Sequence, residues 1–419
     1  MIQKLVGREK EKGKIQSMRN QMRALQLSAM RWQLPALSGI WALLFSILLA
    51  PPIYAEYTFD FQGEITGWGS VTGEDLDNQE LGARYIPSFR LALPFTQTME
   101  FDSELSANLY GIRTSGDTKE TDLSQDGKLY RSWARLFTDR LEVRLGLQEI
   151  SFGPGRVLRS LRWFDQKDRR DPTGFTDGVR GGLMRYYFED DSNIWLWTLY
   201  GNSEPMGISP FTSWPDEGEV GARIQIPLES GEAGVSFHYR NVDPNQLIGS
   251  GQLKIPKTPE TRAGMDLTWD WGVGVWLEAS YFLYKANEYL PESLIFGTIG
   301  GDYTFDLGNG LYTLIEIMGI GLEDIDRIYT NEPYWLMAFS QQYPINLVDD
   351  CRFFALYQPE NEVTSLQVDW RRTYDDLILN AVLYYTHAPQ STSEAAVSAF
   401  APSTASIDKG IKLVIQYNH

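Results

Sequence analysis

Hydrophobic and polar residues alternate one by one along much of the chain. In LEVRLGLQ, residues 141–148, the odd positions are aliphatic, whereas the even positions include Glu142 and Arg144. A period of two is typical of a β-strand, because successive side chains of a strand point to opposite faces of the sheet. The pattern therefore predicts a strand with one apolar face and one charged face.

About eighteen segments of this kind follow one another after residue 56, by the signals of alternation and bounding turn residues. Sixteen is an alternative count, since the alternation is weakest at 341–363. The connections alternate between long and short. Long connections are expected near 70–81, 114–127, 153–180, 202–217, 241–260, 286–292, 321–331 and 387–408. Short turns are expected at 96–97, 138–140, 189–192, 229–231, 270–272 and 373–376.

Long connections at every second position would all lie at one end of a sheet. This arrangement is typical of an all-β, transmembrane, antiparallel up-and-down β-barrel, in which short turns face one side of the membrane and long loops the other. The apolar face of each strand would then contact lipid, and the polar face would line an aqueous interior. A soluble β-solenoid or sandwich is the alternative, but it predicts an internal repeat or Greek-key spacing, and the sequence contains no repeat.

The N-terminal region has the pattern of an export signal. The apolar segment Leu37–Ala50 follows a basic stretch and is short for a transmembrane helix, but it suits the apolar region of a signal peptide. Ala55 provides a small residue for cleavage, and Pro51 ends the apolar run abruptly, which disfavours an uncleaved anchor. We expect residues 1–55 to be the signal peptide and residues 56–419 to form the barrel.

The basic stretch before the apolar segment is long, so Met18 and Met22 are alternative translation starts. The whole chain has 419 residues and a net charge of −18, which disfavours a general nucleic-acid binder. Its single cysteine, Cys351, excludes a disulfide framework and a cysteine-based zinc site.

One stretch carries a family resemblance: EVRLGLQEISFGPGRVLRSLRWFDQKDRRDPTGFTDGVRGG, residues 142–182. It resembles a signature of outer-membrane porins of the alginate-export and phosphate-selective kind, in which a strand leads through a glycine turn into an Asp-Pro loop. The matching residues are Arg144, Gly146, Gln148, Gly153, Asp171, Pro172 and Gly178. The resemblance implies a bacterial outer-membrane channel for small polar or anionic solutes. Its expected partners are membrane lipid, lipopolysaccharide and the barrel-assembly machinery, and a homo-oligomer remains open.

The long connection at 153–180 is the candidate constriction loop, because the third long loop of porins commonly folds inward. It carries five arginines of interest: Arg156, Arg159, Arg162, Arg169 and Arg170. Guanidinium forks match carboxylate and phosphate oxygens well, so an inward loop would attract anions. In the alternative interpretation, the loop lies outside and its charges bind lipopolysaccharide phosphates or pair with its own aspartates.

The inward face of the strands adds charges of both signs. The arginines on this face are Arg84, Arg90, Arg144, Arg223, Arg240, Arg262 and Arg371. The carboxylates are Glu64, Glu100, Asp102, Glu104, Glu142, Asp266, Glu278, Glu316 and Asp369. Mixed charges around a pore set a transverse field and a selectivity for charged solutes. Many of these charges are expected to neutralise each other.

Aromatic residues near the strand ends are expected to form girdles at the two membrane interfaces. The candidates are Trp68, Tyr186, Trp195, Trp197, Trp269, Trp271, Trp276, Tyr384 and Tyr385.

The sequence gives no sign of catalysis. Ser236 and His238 share a strand face, but positions two apart on a strand lie about 7 Å apart, too far for a direct hydrogen bond. We predict no catalytic residue, no metal site and no cofactor. The predicted function is passive, charge-biased diffusion through an outer-membrane channel. The alternatives are an export channel for an anionic polysaccharide and a non-conducting structural or adhesive surface barrel.

Overall fold

Strands form almost all of the regular structure in the computed structural model, which describes residues 57–73, 76–115, 121–245, 255–285, 290–323, 334–389 and 409–419. The predicted signal peptide lies outside the described residues. The first nine strands are β1 Thr58–Thr72, β2 Asn78–Pro94, β3 Met99–Ser115, β4 Thr121–Thr138, β5 Leu141–Gln148, β6 Val179–Tyr187, β7 Asn193–Tyr200, the two-residue β8 Thr212–Ser213, and β9 Gly218–Leu228. The others are β10 Gly231–Asp243, β11 Thr258–Asp270, β12 Gly274–Tyr284, β13 Ser293–Phe305, β14 Leu311–Glu323, β15 Tyr334–Pro344, β16 Asp349–Gln358, β17 Val363–Thr373, β18 Leu377–His387 and β19 Lys409–Asn418.

The long strands form one closed antiparallel sheet. Each pairs with the next long strand along the chain, and β7 pairs with β9 because β8 only adds to the end of β10. The sheet closes where β1 pairs with β19, from Glu64 opposite Asn418 to Thr72 opposite Gly410. The predicted up-and-down barrel of eighteen strands is confirmed, and the alternative count of sixteen is wrong. The ambiguous stretch near 350 is the complete strand β16.

The long connections share one end of the barrel, as predicted. Among the described residues, the connections at the other end are the turns 95–98, 139–140, 188–192, 229–230, 271–273, 306–310, 345–348 and 374–376. The prediction of long connections near 70–81 and 114–127 is wrong, because both connections are short. Strands β1 to β4 continue beyond the segments in which apolar and polar residues alternate. Polar residues such as Gln79 and Thr114 still pair in the ladder, since backbone hydrogen bonds do not require apolar side chains.

The outward face of the barrel is apolar and exposed, whereas the inward face is polar and largely buried. On β5, Leu145 of the outward face is 55% exposed, whereas Glu142 of the inward face is only 7% exposed. Exposed apolar side chains at mid-strand recur around the wall, including Leu196, Val235, Met265, Ile299, Ile315 and Leu413. A continuous belt of this kind is suited to hydrocarbon, so the strands span a membrane. Within the described ranges, none of the helical segments is long and apolar enough to cross a membrane.

The aromatic girdles differ in part from the prediction. Tyr186, Trp271 and Tyr385 are exposed on the outside, as expected. Four of the predicted tryptophans instead have the parity of the inward face: Trp68, Trp195, Trp197 and Trp276. Proximity to a strand end does not reveal the face of a residue, and an indole N–H is satisfied by polar partners inside the barrel.

The two faces of β5 should respond oppositely to a change of charge. Leu145→Arg places a charge on the lipid face and should cost about 2–4 kcal/mol in the free energy of unfolding. Arg144→Leu, on the inward face, should change that free energy much less, although it should alter conductance. Unfolding by urea in lipid vesicles measures the free energy of unfolding of both variants. The reverse order of stabilities would show that the faces of this strand are exchanged.

The two ends of the barrel should differ in accessibility on intact cells. An epitope inserted after Asn245, in a long connection, should be recognised by antibody outside the cell, because long loops of such barrels face outward. The same epitope inserted in the turn 229–230 should become accessible only after the outer membrane is permeabilised. Equal labelling of both variants on intact cells would contradict this topology.

Candidate functional site

The connection 149–178 between β5 and β6 folds into the barrel and contacts the inner wall on the opposite side. The Ser160 hydroxyl lies 2.7 Å from the Thr298 hydroxyl of β13, and the Trp163 indole donates a hydrogen bond of 2.9 Å to Ser280 of β12. All four side chains are buried. We call this segment the inner loop.

Glu316, on β14, holds the first part of the inner loop through its backbone. Its carboxylate accepts hydrogen bonds from three consecutive backbone N–H groups, those of Arg156 (2.7 Å), Val157 (2.8 Å) and Leu158 (2.7 Å). It also accepts one from the Trp276 indole at 2.9 Å. The described residues place no cation within 4.0 Å of this fully buried carboxylate, so these N–H groups provide its stabilisation.

Glu278, on β12, is the second carboxylate that holds the inner loop. It accepts hydrogen bonds from the backbone N–H groups of Gly155 (2.7 Å) and Leu161 (3.1 Å). Gly153 has a positive φ of 88°, and a Cβ there would lie 2.4 Å from a Glu278 oxygen. The glycines of the FGPG stretch are thus required where the loop backbone approaches the wall.

The second half of the inner loop is held through its carbonyl groups. Arg352 of β16 donates to the Arg169 carbonyl at 2.8 Å, and Gln367 of β17 donates to the Arg170 carbonyl at 3.0 Å. Neither Arg352 nor Gln367 was predicted as a functional residue. Arg352 lies in the stretch with the weakest alternation, so sequence analysis had no firm face to assign to it.

Apolar packing fills the barrel interior beside the inner loop. Phe152, Leu161 and Trp163 of the loop belong to one buried cluster with Trp197 of β7 and Phe282 of β12. The connection 201–217 joins the same cluster through Met206 and Phe211. This part of the interior is closed by side chains, so any passage lies beside it.

Two of the predicted pore-lining positions form a buried ion pair in the wall. Arg223 of β9 donates to both carboxylate oxygens of Asp266 on β11, at 2.6 and 2.9 Å, and to Ser236 at 3.0 Å. Arg223 and Asp266 are almost fully buried. The two charges neutralise each other, and a buried pair of this kind fixes geometry more than it attracts solutes.

A second buried group links three neighbouring strands. Glu260 accepts hydrogen bonds from Arg240 and from Arg262, the latter at 2.7 Å. Arg240 also donates to the Ser213 hydroxyl of β8 at 3.0 Å, and Arg262 lies 3.4 Å from the Trp163 carbonyl. These two predicted luminal arginines therefore hold the connections in place.

The arginines of the inner loop fall into two groups. Arg159 is buried in an ion pair with Asp165 and Arg170 in one with Asp168, so their charges are used inside the loop. Arg156 is exposed and lies over the Trp276 ring at 5.9 Å, and Arg169 lies over the Tyr312 ring at 5.8 Å.

Among the described residues, Arg156, Arg162 and Arg169 have no ion pair within 4.0 Å. Arg162 is set apart from the other two, because its Nε atom is buried and has no hydrogen-bond partner among the described residues. The open arginines of the inner loop are thus Arg156 and Arg169.

The remaining predicted positions lie on the inward face of β2, β3, β5 and β17. Arg84 stacks on Phe175 of the inner loop at 4.1 Å. Arg90 is exposed and lies 3.5 Å from Glu104, and Arg371 is also exposed. On β5, the carboxylate of Glu142 accepts a hydrogen bond of 2.9 Å from Arg144.

His238 is a structural residue of the wall in this arrangement. Its Nδ1 accepts a hydrogen bond of 3.1 Å from the Trp197 indole, and its Nε2 lies 3.0 Å from Glu219. The neighbouring Ser236 hydroxyl binds Arg223 instead of His238. Over the described part of the chain, no group of three His, Cys, Asp or Glu residues is arranged to hold a metal ion.

No protein-family model and no curated protein matches the sequence. The barrel is similar to solved bacterial outer-membrane structures. OccD3 (OpdP) of Pseudomonas aeruginosa matches with a TM-score of 0.53 and 6% identity over 86% of this chain and 91% of that chain. OccAB1 of Acinetobacter baumannii matches with a TM-score of 0.51 and 6% identity over 87% and 96%. OccK5 (OpdH) of P. aeruginosa matches with a TM-score of 0.50 and 11% identity over 86% and 97%.

Identities of this size establish similarity of fold. The single closed antiparallel sheet fits the same architecture. The chain has the fold of the bacterial outer-membrane porins, a closed antiparallel barrel of eighteen long strands.

Proposed function

We propose that this protein is a channel of the bacterial outer membrane through which small polar solutes diffuse passively, with a preference for anions. The observation that carries the proposal is the inner loop, whose backbone is bound to Glu278 and Glu316 on the far wall. A segment held across the interior narrows the passage, and the narrowest part of a pore dominates its selectivity.

The preference for anions follows from the charges that remain open. The buried arginines of the wall and of the inner loop already have carboxylate partners, such as Asp266 for Arg223 and Asp165 for Arg159. Arg156 and Arg169 lack such a partner among the described residues. At physiological ionic strength charges are screened beyond about 8 Å, so those beside the passage act on a solute more than the acidic total of the chain does.

Neutralising the open arginines of the inner loop should shift selectivity. In the double variant Arg156→Gln, Arg169→Gln, the reversal potential in asymmetric salt should move toward cation preference, because two positive charges are removed from the passage. Arg159 is left intact, since its ion pair with Asp165 stabilises the loop. Planar-bilayer recordings of the purified protein measure the shift.

Arg180→Gln is the matched control, because Arg180 is exposed, belongs to β6 and has the parity of the outward face. It changes the total charge without changing the passage and should leave the reversal potential unaltered. A double variant that keeps the wild-type reversal potential would place Arg156 and Arg169 away from the ion path. A folded wild-type barrel that does not conduct would refute the channel and favour a structural surface barrel.

Removing the wall carboxylates should release the inner loop. In the double variant Glu278→Gln, Glu316→Gln, five backbone N–H bonds lose their charged acceptor, and each bond of this kind contributes about 1.5–3 kcal/mol. We expect a larger and noisier single-channel conductance with the barrel still folded, because the strand ladder is unchanged.

Glu104→Gln serves as the control for this experiment. Glu104 faces the interior but binds Ser88 and Arg90 of the neighbouring strand, and within the described part of the chain it makes no hydrogen bond to the inner loop. The single-channel conductance of the Glu104→Gln variant should remain as steady as that of the wild type. If the double variant at 278 and 316 conducts as steadily as the wild type, the loop is not held by these carboxylates.

A further inference from the structure

Three neighbouring turns at the short-turn end of the barrel are joined into one surface. They are the turns 306–310, 345–348 and 374–376. Asn309 of the first turn donates hydrogen bonds of 3.0 Å to the carbonyl groups of Pro344 and Ile345, beside and in the second turn. The Thr373 backbone N–H, at the start of the third turn, donates to the Val348 carbonyl at 2.8 Å. Neighbouring turns are two strand spacings apart, or about 10 Å, so the three form a continuous surface.

Apolar side chains are exposed on this surface. Leu347 is fully exposed, Leu307 is 57% exposed and Ile345 is 48% exposed; we call these three residues the turn patch. The middle turn is fixed by Asn346, whose side-chain oxygen accepts hydrogen bonds from the backbone N–H groups of Val348 (2.9 Å) and Asp349 (3.0 Å). A turn held in this way presents Leu347 in one conformation, which lowers the entropy lost when a partner binds.

The boundary of the membrane lies at the base of the middle turn. Arg372 donates to Asp349 at 3.1 Å, and the two residues are opposite each other in the ladder with the parity of the outward face. The Cζ atom of Arg372 lies 6.0 and 5.7 Å from the ring centroids of Trp370 and Tyr374. Tryptophan, tyrosine and charged groups on the outer face are typical of the membrane–water interface. Leu347 lies in the turn beyond this level, so lipid tails do not cover it.

The turns at this end of the barrel are strongly acidic. Their exposed carboxylates are Asp139, Glu189, Asp190, Asp191, Glu229, Asp306, Asp375 and Asp376. Arg140 is the basic residue of these turns, and it is already bound to Glu189 at 2.6 Å. Asp306, Asp375 and Asp376 flank the turn patch and have no ion pair within 4.0 Å among the described residues; we call them the acidic rim. A partner that fits this surface therefore combines apolar side chains with positive charges.

We propose that the turn patch and the acidic rim form a docking surface for a water-soluble protein segment in which apolar residues are flanked by lysine or arginine. In the predicted topology this partner lies on the periplasmic side. The surface is small, so the contact is expected to be weak and transient. The inference goes beyond the proposed channel function and does not depend on conduction.

Binding of a defined peptide to the full-length protein tests the docking surface. The protein is placed in phosphatidylcholine nanodiscs, and the probe is a short fluorescein-labelled peptide in which leucine and lysine alternate. We expect a saturable rise in fluorescence anisotropy at peptide affinities on the order of micromolar. A leucine–glutamate peptide and a serine–lysine peptide should each bind about tenfold more weakly or less, because each lacks one of the two complementary features.

Two variants of the surface should weaken binding of the leucine–lysine peptide. Leu347→Ser should weaken it about tenfold, since it removes the most exposed apolar side chain of the turn patch. The double variant Asp375→Asn, Asp376→Asn should weaken it by a similar factor and make binding less sensitive to salt. Val273→Ser and Glu229→Gln are the matched controls, because both residues are exposed in other turns at the same end. They should bind the peptide as the wild type does.

A wild-type protein that binds no more peptide than empty nanodiscs do would overturn the docking surface, as would wild-type affinity in both surface variants. A second measurement tests whether lipid covers the turn patch instead. A fluorophore attached to Leu347→Cys, in a Cys351→Ser background, should be quenched by iodide in the water and not by doxyl-labelled lipid. Quenching by the lipid would place the turn in the membrane and refute the docking surface. A barrel that binds the peptide but does not conduct supports the surface and refutes only the channel.

Discussion

Every other feature of this barrel depends on the closing of its hydrogen-bond ladder between β1 and β19. In hydrocarbon an unpaired backbone N–H or C=O group costs several kcal/mol, so a sheet that crosses a membrane can have no free edge. The pairing from Glu64–Asn418 to Thr72–Gly410 removes the two edges that the chain would otherwise expose. Closure then divides the side chains, because alternation sends one half to lipid and the other half to the interior.

The polar interior that closure creates is also what binds the inner loop. Glu278 and Glu316 are buried carboxylates that need hydrogen-bond donors, and loop residues 155–161 have backbone N–H groups that no strand pairs. The loop N–H groups provide the donors that the carboxylates need, and the carboxylates provide the acceptors that the N–H groups need. The loop is thus a part of the barrel interior, and its position follows from the same requirement for paired polar groups that closes the sheet.

The interior is asymmetric as a result. Around Trp163, the interior is filled by apolar side chains and by paired charges such as Arg223 with Asp266. Arg90 and Arg371, on β2 and β17, remain exposed. Arginines thus act differently according to their burial. The buried ion pairs fix the loop and the wall, and the exposed groups set the electric field that a passing solute meets.

The alternation by itself predicted about eighteen strands, with sixteen left open by the weak pattern at 341–363, and it determined the faces of β5, since a period of two is a local property and hydrocarbon accepts only one of the two faces. It did not determine the strand ends, because polar residues also pair in the ladder. Nor could it separate Arg156, which is exposed, from Arg159, which is buried against Asp165. Only the tertiary structure decided this, because the loop's position depends on Glu278 and Glu316, which lie more than a hundred residues further along the chain.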